Sequence, residues 1–187
     1  ASGIISGNYS ITKAGNGSFT LSGANTYTGT TTISAGTLSV TGSLADTTAV
    51  TVASGATYNV GADDTIASLA GAGNVTLNSN ILTLGGNTDT SYSGAMSGTG
   101  GLVKAGTANF TMSGANTYTG DTNISAGTLI LTGSLSSATD VVMTNAAIWD
   151  LQVAQTIASL SMASGNSITN TAGTSSLTVS GTSTLAN

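Results

Sequence analysis

Side chains that could do acid–base chemistry are few in this 187-residue chain. Asp63 and Asp64 form the one adjacent acidic pair, and Lys13 and Lys104 are the two cations. An enzyme that moves protons needs a donor and an acceptor held against the same substrate. Because the sequence has no His, Arg, Glu or Cys to complete such a set, we predict that the chain is not an enzyme and binds no cofactor.

The sequence does not support a metal site. We expect Asp63 and Asp64 to lie in a loop or solvated turn, since the second copy of this segment reads Ala154-Gln155. The segment that ends at Asp89, GGNTD, approaches the glycine-rich calcium repeats of other solenoids but occurs once, whereas those repeats recur. Weak calcium binding near Asp63, Asp64 or Asp89 stays open, and no metal site is predicted.

Lysine and tyrosine could contact a glycan. Lys13 and Lys104 each precede an Ala-Gly pair, where an ammonium could meet an anionic sugar. We expect instead corner residues whose stems cover apolar surface while the ammonium stays in solvent. Tyr27 and Tyr118 could stack on a sugar ring, but packing over their own corner is the favoured interpretation. A nucleophilic serine is excluded for want of a histidine base.

The amino-acid composition limits the classes of partner that the chain could bind. Charged residues make up 5% of the chain, against about 25% in an average soluble domain. Two lysines cannot neutralise many phosphates, so nucleic acid is excluded as a partner. The apolar runs are far shorter than the roughly 20 residues of a spanning helix, and we predict no membrane insertion by this segment.

The chain repeats itself. Residues 11–52 match residues 102–143 at 26 of 42 positions, and the similarity continues more weakly on both sides. We interpret the chain as two tandem units, 1–91 and 92–187, within one continuous solenoid. Comparing the copies separates two sets of positions that alternate along the chain. A period of two residues is that of a β-strand.

One of these sets stays apolar or aromatic in both copies and is predicted to face the core. The other set changes freely, as from Ser39 to Ile130 and from Asn59 to Asp150, and is predicted to face outward. The predicted core residues are Phe19, Leu21, Ile33, Leu38, Val40, Tyr58, Val60, Phe110, Met112, Ile124, Leu129, Leu131, Trp149 and Leu151.

Short strands bounded by Gly, Asn and Ser favour a coil of stacked turns, or rungs, over a sandwich of longer strands. With roughly 20 to 25 residues in a rung, each unit would hold about four rungs, and the rod would be about 40 Å long. The predicted repeat corners are Asn25, Tyr27, Gly29, Asn116, Tyr118 and Gly120.

A long motif runs from Ile11 to Val40 and again from Leu102 to Leu131, with K-A-G, F-T, S-G-A-N-T-Y-T-G and I-S-A-G-T-L shared by both copies. It resembles the autotransporter-associated β-strand repeat of type V passengers. The resemblance implies a right-handed parallel β-helix outside the cell or on a bacterial surface, without a catalytic residue. The chain lacks the run of about ten amphipathic strands that a translocating barrel would need.

These observations favour a structural or adhesive role, with a glycan or protein receptor or further copies of the chain as partners. The two units begin and end in phase, which is compatible with head-to-tail filaments and equally with a segment of a longer passenger. Ice binding is an alternative, because Thr30 and Thr32 show T-x-T spacing. Asp121 and Asn123 stand at those positions in the second copy, so we expect the array to be broken.

Overall fold

The computed structural model describes residues 1–186. Over this range the chain is all-β and without helix, and its parallel strands stack into a β-solenoid of about nine turns. No described residues form a helix long and apolar enough to span a membrane. The predicted all-β parallel solenoid is therefore confirmed.

The strands are short, as the frequent glycines and asparagines predict. In the first half they are β1 (Ser6–Gly7), β2 (Ile11–Lys13), β3 (Ser18–Leu21), β4 (Thr26–Tyr27), β5 (Thr31–Ile33), β6 (Thr37–Val40), β7 (Ala49–Val52), β8 (Thr57–Val60), β9 (Asp64–Ile66), β10 (Ser68–Gly71), β11 (Asn74–Thr76) and β12 (Ile81–Leu84). In the second half they are β13 (Thr90–Tyr92), β14 (Met96–Ser97), β15 (Gly101–Lys104), β16 (Asn109–Met112), β17 (Thr122–Ile124), β18 (Thr128–Leu131), β19 (Asp140–Met143), β20 (Ile148–Leu151), β21 (Gln155–Ile157), β22 (Ser159–Met162), β23 (Ser167–Thr169), β24 (Leu177–Val179) and β25 (Ser183–Leu185).

Three long parallel sheets run along the coil. The nine-stranded sheet stacks β2, β5, β7, β10, β13, β16, β18, β20 and β23; the seven-stranded sheet stacks β9, β12, β15, β17, β19, β22 and β25; and the five-stranded sheet stacks β3, β6, β8, β11 and β14. Two further pairs, β1 with β4 and β21 with β24, add short ladders. Residue 91, where the first sequence unit ends, lies inside β13, so the nine-stranded ladder continues through both units.

Ladder registers give the length of a rung. Bonded neighbours are 20 residues apart where Ile11 meets Thr31 and where Thr128 meets Ile148, and 19 apart where Thr31 meets Val50. Most rungs therefore take 19 or 20 residues, slightly fewer than the sequence suggested.

The core is a narrow column of aliphatic and aromatic side chains. Leu21, Ile33, Leu38, Val40, Tyr58, Val60, Phe110, Met112, Ile124, Leu129, Leu131, Trp149 and Leu151 are all buried in it. The prediction for Phe19 is wrong, because its side chain is 41% exposed. Phe19 stands on β3, at the edge of the five-stranded sheet, and in the described structure only one strand, β6, pairs with it.

Equivalent strands of the two sequence units lie on different sheets. Strand β3 belongs to the five-stranded sheet, while its counterpart β16, 91 residues later, belongs to the nine-stranded sheet. Likewise β5 is in the nine-stranded sheet and its counterpart β17 is in the seven-stranded sheet. Because 91 is not a multiple of the rung length, the second unit is turned about the axis by one sheet, or about a third of a turn.

Glycines stack where the chain turns between sheets. A Cβ atom added to Gly114 would lie 1.9 Å from the carbonyl oxygen of Gly94, and one added to Gly133 would lie 2.1 Å from that of Gly114. At these corners the backbones of successive rungs touch directly, so a glycine is required for close approach.

Candidate functional site

Both lysines donate to backbone carbonyls at a corner. The Lys13 ammonium donates to the carbonyl of Gly15 at 2.7 Å and to that of Ala35, one rung away, at 3.0 Å. The Lys104 ammonium donates to Gly106 and, at 3.1 Å, to Ala126. Burial lowers the pKa of Lys104, while Asp89 acts in the opposite direction. The expectation that these ammonium groups stay in solvent is wrong, because both lysines are buried.

Asparagine joins three successive rungs at another corner. The Asn116 amide donates to the carbonyls of Gly114 and Ser134, each at 3.0 Å, and its oxygen accepts from the Met96 N–H at 3.0 Å. Asn25 makes the corresponding bonds in the first unit. These two corner residues therefore satisfy backbone groups that would otherwise be buried without partners.

The two repeat tyrosines point into the core. Tyr118 is fully buried, and its hydroxyl lies 2.6 Å from the hydroxyl of Thr122. Tyr27 pairs with Thr31 in the same way. Burial raises the pKa of both tyrosines. The rings cannot stack on an external sugar while the chain is folded, and each fills the core beneath its corner.

Asp64 is buried on strand β9, which corrects the expected solvated turn. Its carboxylate accepts from the Leu44 N–H at 3.1 Å and from the Tyr58 hydroxyl at 3.2 Å. Burial raises the pKa of Asp64 to about 6, although these hydrogen bonds oppose the rise. Gln155 takes the same place in the second unit and bonds to Leu135.

Asp150, expected on the outside, is nearly covered by the segment that follows β23. It accepts from the Thr171 hydroxyl at 2.6 Å, the Thr171 N–H at 3.0 Å and the Gln152 amide at 2.7 Å. Burial disfavours its charge, but these bonds and one from Thr169 outweigh that effect and lower its pKa. Asp150 thus fixes a turn between rungs.

An acidic groove is the remaining concentration of charge. Asp46, Asp63 and Asp64 line it together with Ser43 and Ile81. Asp63 accepts from the Ile81 N–H at 2.8 Å, and Asp64 is already bonded as described above. No group of three or more potential metal-binding side chains occurs among residues 1–186, and Asp89 lies elsewhere, bonded to Asn109.

Outward residues form axial rows of hydroxyl and amide groups. On the nine-stranded sheet Thr12, Thr32 and Thr51 are neighbours in three successive strands, and Ala70 follows them. On the five-stranded sheet Asn59 donates to Ser39 at 2.9 Å. Thr32 and its sequence counterpart Asn123 are on different sheets, so the two copies do not build one common array.

The sequence comparison missed several polar partners. Thr31, Thr122, Asp64 and Gln155 are all buried, although polar residues vary or recur there without an obvious role. A signal was present for all four, since each stands two residues before a buried isoleucine, namely Ile33, Ile124, Ile66 or Ile157. Alternation therefore placed them on the inner face.

The passenger-associated-transport-repeat family matches residues 11–40 and 102–134. Two segments of the chain thus match this passenger repeat. The lysine and asparagine of each passenger repeat are the residues whose bonds between rungs are described above.

A similar protein is the adhesin BmaC autotransporter of Brucella suis biovar 1 (strain 1330), which is 36% identical over 141 residues. The alignment covers 73% of this chain but 4% of that adhesin. The chain therefore corresponds to a small part of the length of this relative. No solved structure matches the chain significantly.

Proposed function

We propose that this chain is a non-catalytic segment of a bacterial surface passenger, which extends as a rigid rod and adheres through its outer faces. The proposal rests on one observation, which is that the chemically reactive side chains serve as structural links between rungs. Lys13, Lys104 and Asp64 are buried and bonded to the backbone of neighbouring rungs. They hold the coil together and are not available to a substrate.

The parallel ladder supports the rod. Strands of one sheet bond from β2 to β23 along the axis, and a solenoid of this kind resists bending because each rung is bonded to the next. The adhesin relative and the two passenger repeats support a location outside the cell, where such rods are displayed.

Adhesion would come from many weak contacts. The outer rows carry threonine, serine and asparagine, which can exchange hydrogen bonds with glycan hydroxyls or with a receptor's backbone. Linked weak contacts add up to strong attachment when they engage together. Both lysines are buried and bonded to carbonyls, so they cannot pair with the charges of a polyanion. A glycan or protein receptor is therefore favoured over a polyanion.

The test is attachment of beads coated with the full chain to a panel of immobilised glycans, fibronectin and collagen. We expect retention that rises steeply with coating density and changes little between 50 and 500 mM NaCl, since few charges take part. Beads coated with Leu129→Asp chain, which we expect to be unfolded, serve as the control. Absence of retention on every surface, or cleavage of any glycan, would contradict the proposal.

Self-association is a second proposal, carried by exposed apolar side chains on the first rungs. Ile4, Tyr9 and Phe19 are 66%, 68% and 41% exposed, and a preceding rung of a longer passenger or a second copy would cover them. Sedimentation velocity of the full chain separates these cases. We expect a weight-average sedimentation coefficient that rises with concentration, and a Phe19→Ser variant with a smaller rise; a concentration-independent monomer would contradict self-association.

A further inference from the structure

Asp64 and Gln155 are equivalent residues that contact the preceding rung in different ways. Gln155 makes two bonds to one residue: its oxygen accepts from the Leu135 N–H at 3.0 Å, and its amide nitrogen donates to the Leu135 carbonyl at 3.0 Å. The side chain thus satisfies both backbone groups of Leu135 in a buried place.

Asp64 reproduces half of this arrangement. Its two carboxylate oxygens accept from the Leu44 N–H at 3.1 and 3.3 Å. An ionised carboxylate has no proton to give, and no hydrogen bond to the buried Leu44 carbonyl is found within residues 1–186. A single proton on Asp64 would supply the missing donor.

We propose that Asp64 is an acid-responsive link between rungs, which takes up a proton from solvent and donates it in a hydrogen bond to the Leu44 carbonyl. The first unit then gains the pair of bonds that Gln155 maintains in the second unit at every pH. Acidification strengthens the solenoid at this place. The proposal does not depend on adhesion.

Burial favours the protonated form of Asp64, whereas the hydrogen bonds from the Leu44 N–H and the Tyr58 hydroxyl oppose it. Asp46 faces it with a like charge, Asp63 is its neighbour in sequence, and neither lysine bonds to it. The Tyr58 hydroxyl donates to it at 3.2 Å, and Tyr58 in turn lies near Tyr27. Both phenols are neutral below pH 10, so neither adds a charge beside Asp64 in the range where its carboxyl titrates.

The direction of the pH effect follows from the raised pKa of Asp64. Burial raises the folded-state pKa of Asp64 to about 6, above the value of about 3.9 in an unfolded chain. The stabilising contribution is therefore fully present below about pH 4 and is lost as the pH rises through 6. Asp150 titrates in the opposite sense, but its pKa is lowered, so its effect falls below this window.

The experiment compares thermal unfolding of the full chain at pH 4.5 and pH 7.5. We expect wild type to melt a few degrees higher at pH 4.5. Asp64→Asn, which is isosteric and carries a permanent amide donor, should melt at least as high as wild type at pH 7.5 and lose most of the pH difference. Asp63→Asn, the neighbouring exposed carboxylate, should keep the difference.

A reciprocal variant makes the test independent of the first unit. Gln155→Glu is isosteric and should transfer the behaviour to Leu135, enlarging the difference between pH 4.5 and pH 7.5 beyond that of wild type. A wild-type melting temperature that does not rise on acidification, or an Asp64→Asn variant that keeps the full difference, would overturn the proposal. Titration of the Asp64 carboxyl carbon by NMR should show a midpoint near 6, above the value of about 3.9 in an unfolded chain.

Discussion

The Lys104 ammonium donates to the backbone carbonyl of Ala126 at 3.1 Å and so joins two successive rungs. The same ammonium donates to Gly106 in its own corner. A buried cation normally requires a carboxylate partner, but here carbonyl dipoles of the corner take that place. The lysine of the passenger repeat is thereby a structural residue.

Replacing Lys104 by Met should destabilise the chain by about 1–3 kcal/mol, because the carbonyls of Gly106 and Ala126 would lose their donor in a buried place. Urea unfolding followed by circular dichroism measures the change. The control is Thr119→Ala, which changes an exposed side chain that lies between Gly106 and Ala126 in sequence. It should change stability little. If Lys104→Met were as stable as wild type, the bonds to the corner would contribute nothing.

The two repeat phenylalanines should respond differently to truncation. Phe110 is 2% exposed and Phe19 is 41% exposed. We expect Phe110→Ala to cost about 3–5 kcal/mol, as for a fully packed aromatic ring, and Phe19→Ala to cost much less. Equal losses in urea unfolding would mean that Phe19 is packed as tightly as its counterpart.

Gly114 should not tolerate a methyl group. A Cβ at this position would lie 1.9 Å from the Gly94 carbonyl oxygen, so the two rungs would have to separate. We expect Gly114→Ala to lower the free energy of unfolding by about 3 kcal/mol or more. Gly17→Ala is the matched control, since a Cβ there meets nothing within 4 Å, and it should be close to neutral.

Ice binding can be tested directly by thermal hysteresis in a nanolitre osmometer. We expect none, because the outward row of Thr12, Thr32 and Thr51 is followed by Ala70 and is a single row over three strands. Binding to ice needs a flat, ordered surface that is wider than this single row. Hysteresis that disappeared in a Thr32→Lys variant would show that this row does order water.

The strand period, the short strands and the solenoid could be predicted, because alternation at positions such as Leu38 and Val40 directly reflects which side of a strand is buried. The same rule failed for Phe19. Alternation predicts which side of a strand a residue lies on, but it does not predict whether a further rung covers that side. The handedness implied by the family resemblance stays a prediction.

The hydrogen bonds of polar corner residues could not be predicted from the sequence. Lys13 appears solvent-facing when its own rung is considered, and its partner Ala35 lies one rung away. That contact depends on the rung length, which could be predicted only as a range of roughly 20 to 25 residues. Tyr27 was predicted at a corner, and in the structure its buried hydroxyl bonds to that of Thr31 on the following strand.

The shift of equivalent strands from one sheet to the next has a consequence for a passenger that continues this repeat. Its units would be arranged as a threefold screw, and any outward feature would return to the same side only in every third unit, after about 65–70 Å at the usual strand spacing. A flat surface lying along the rod would therefore meet a given feature sparsely. Receptors approaching from all around would each find one of three equivalent sides.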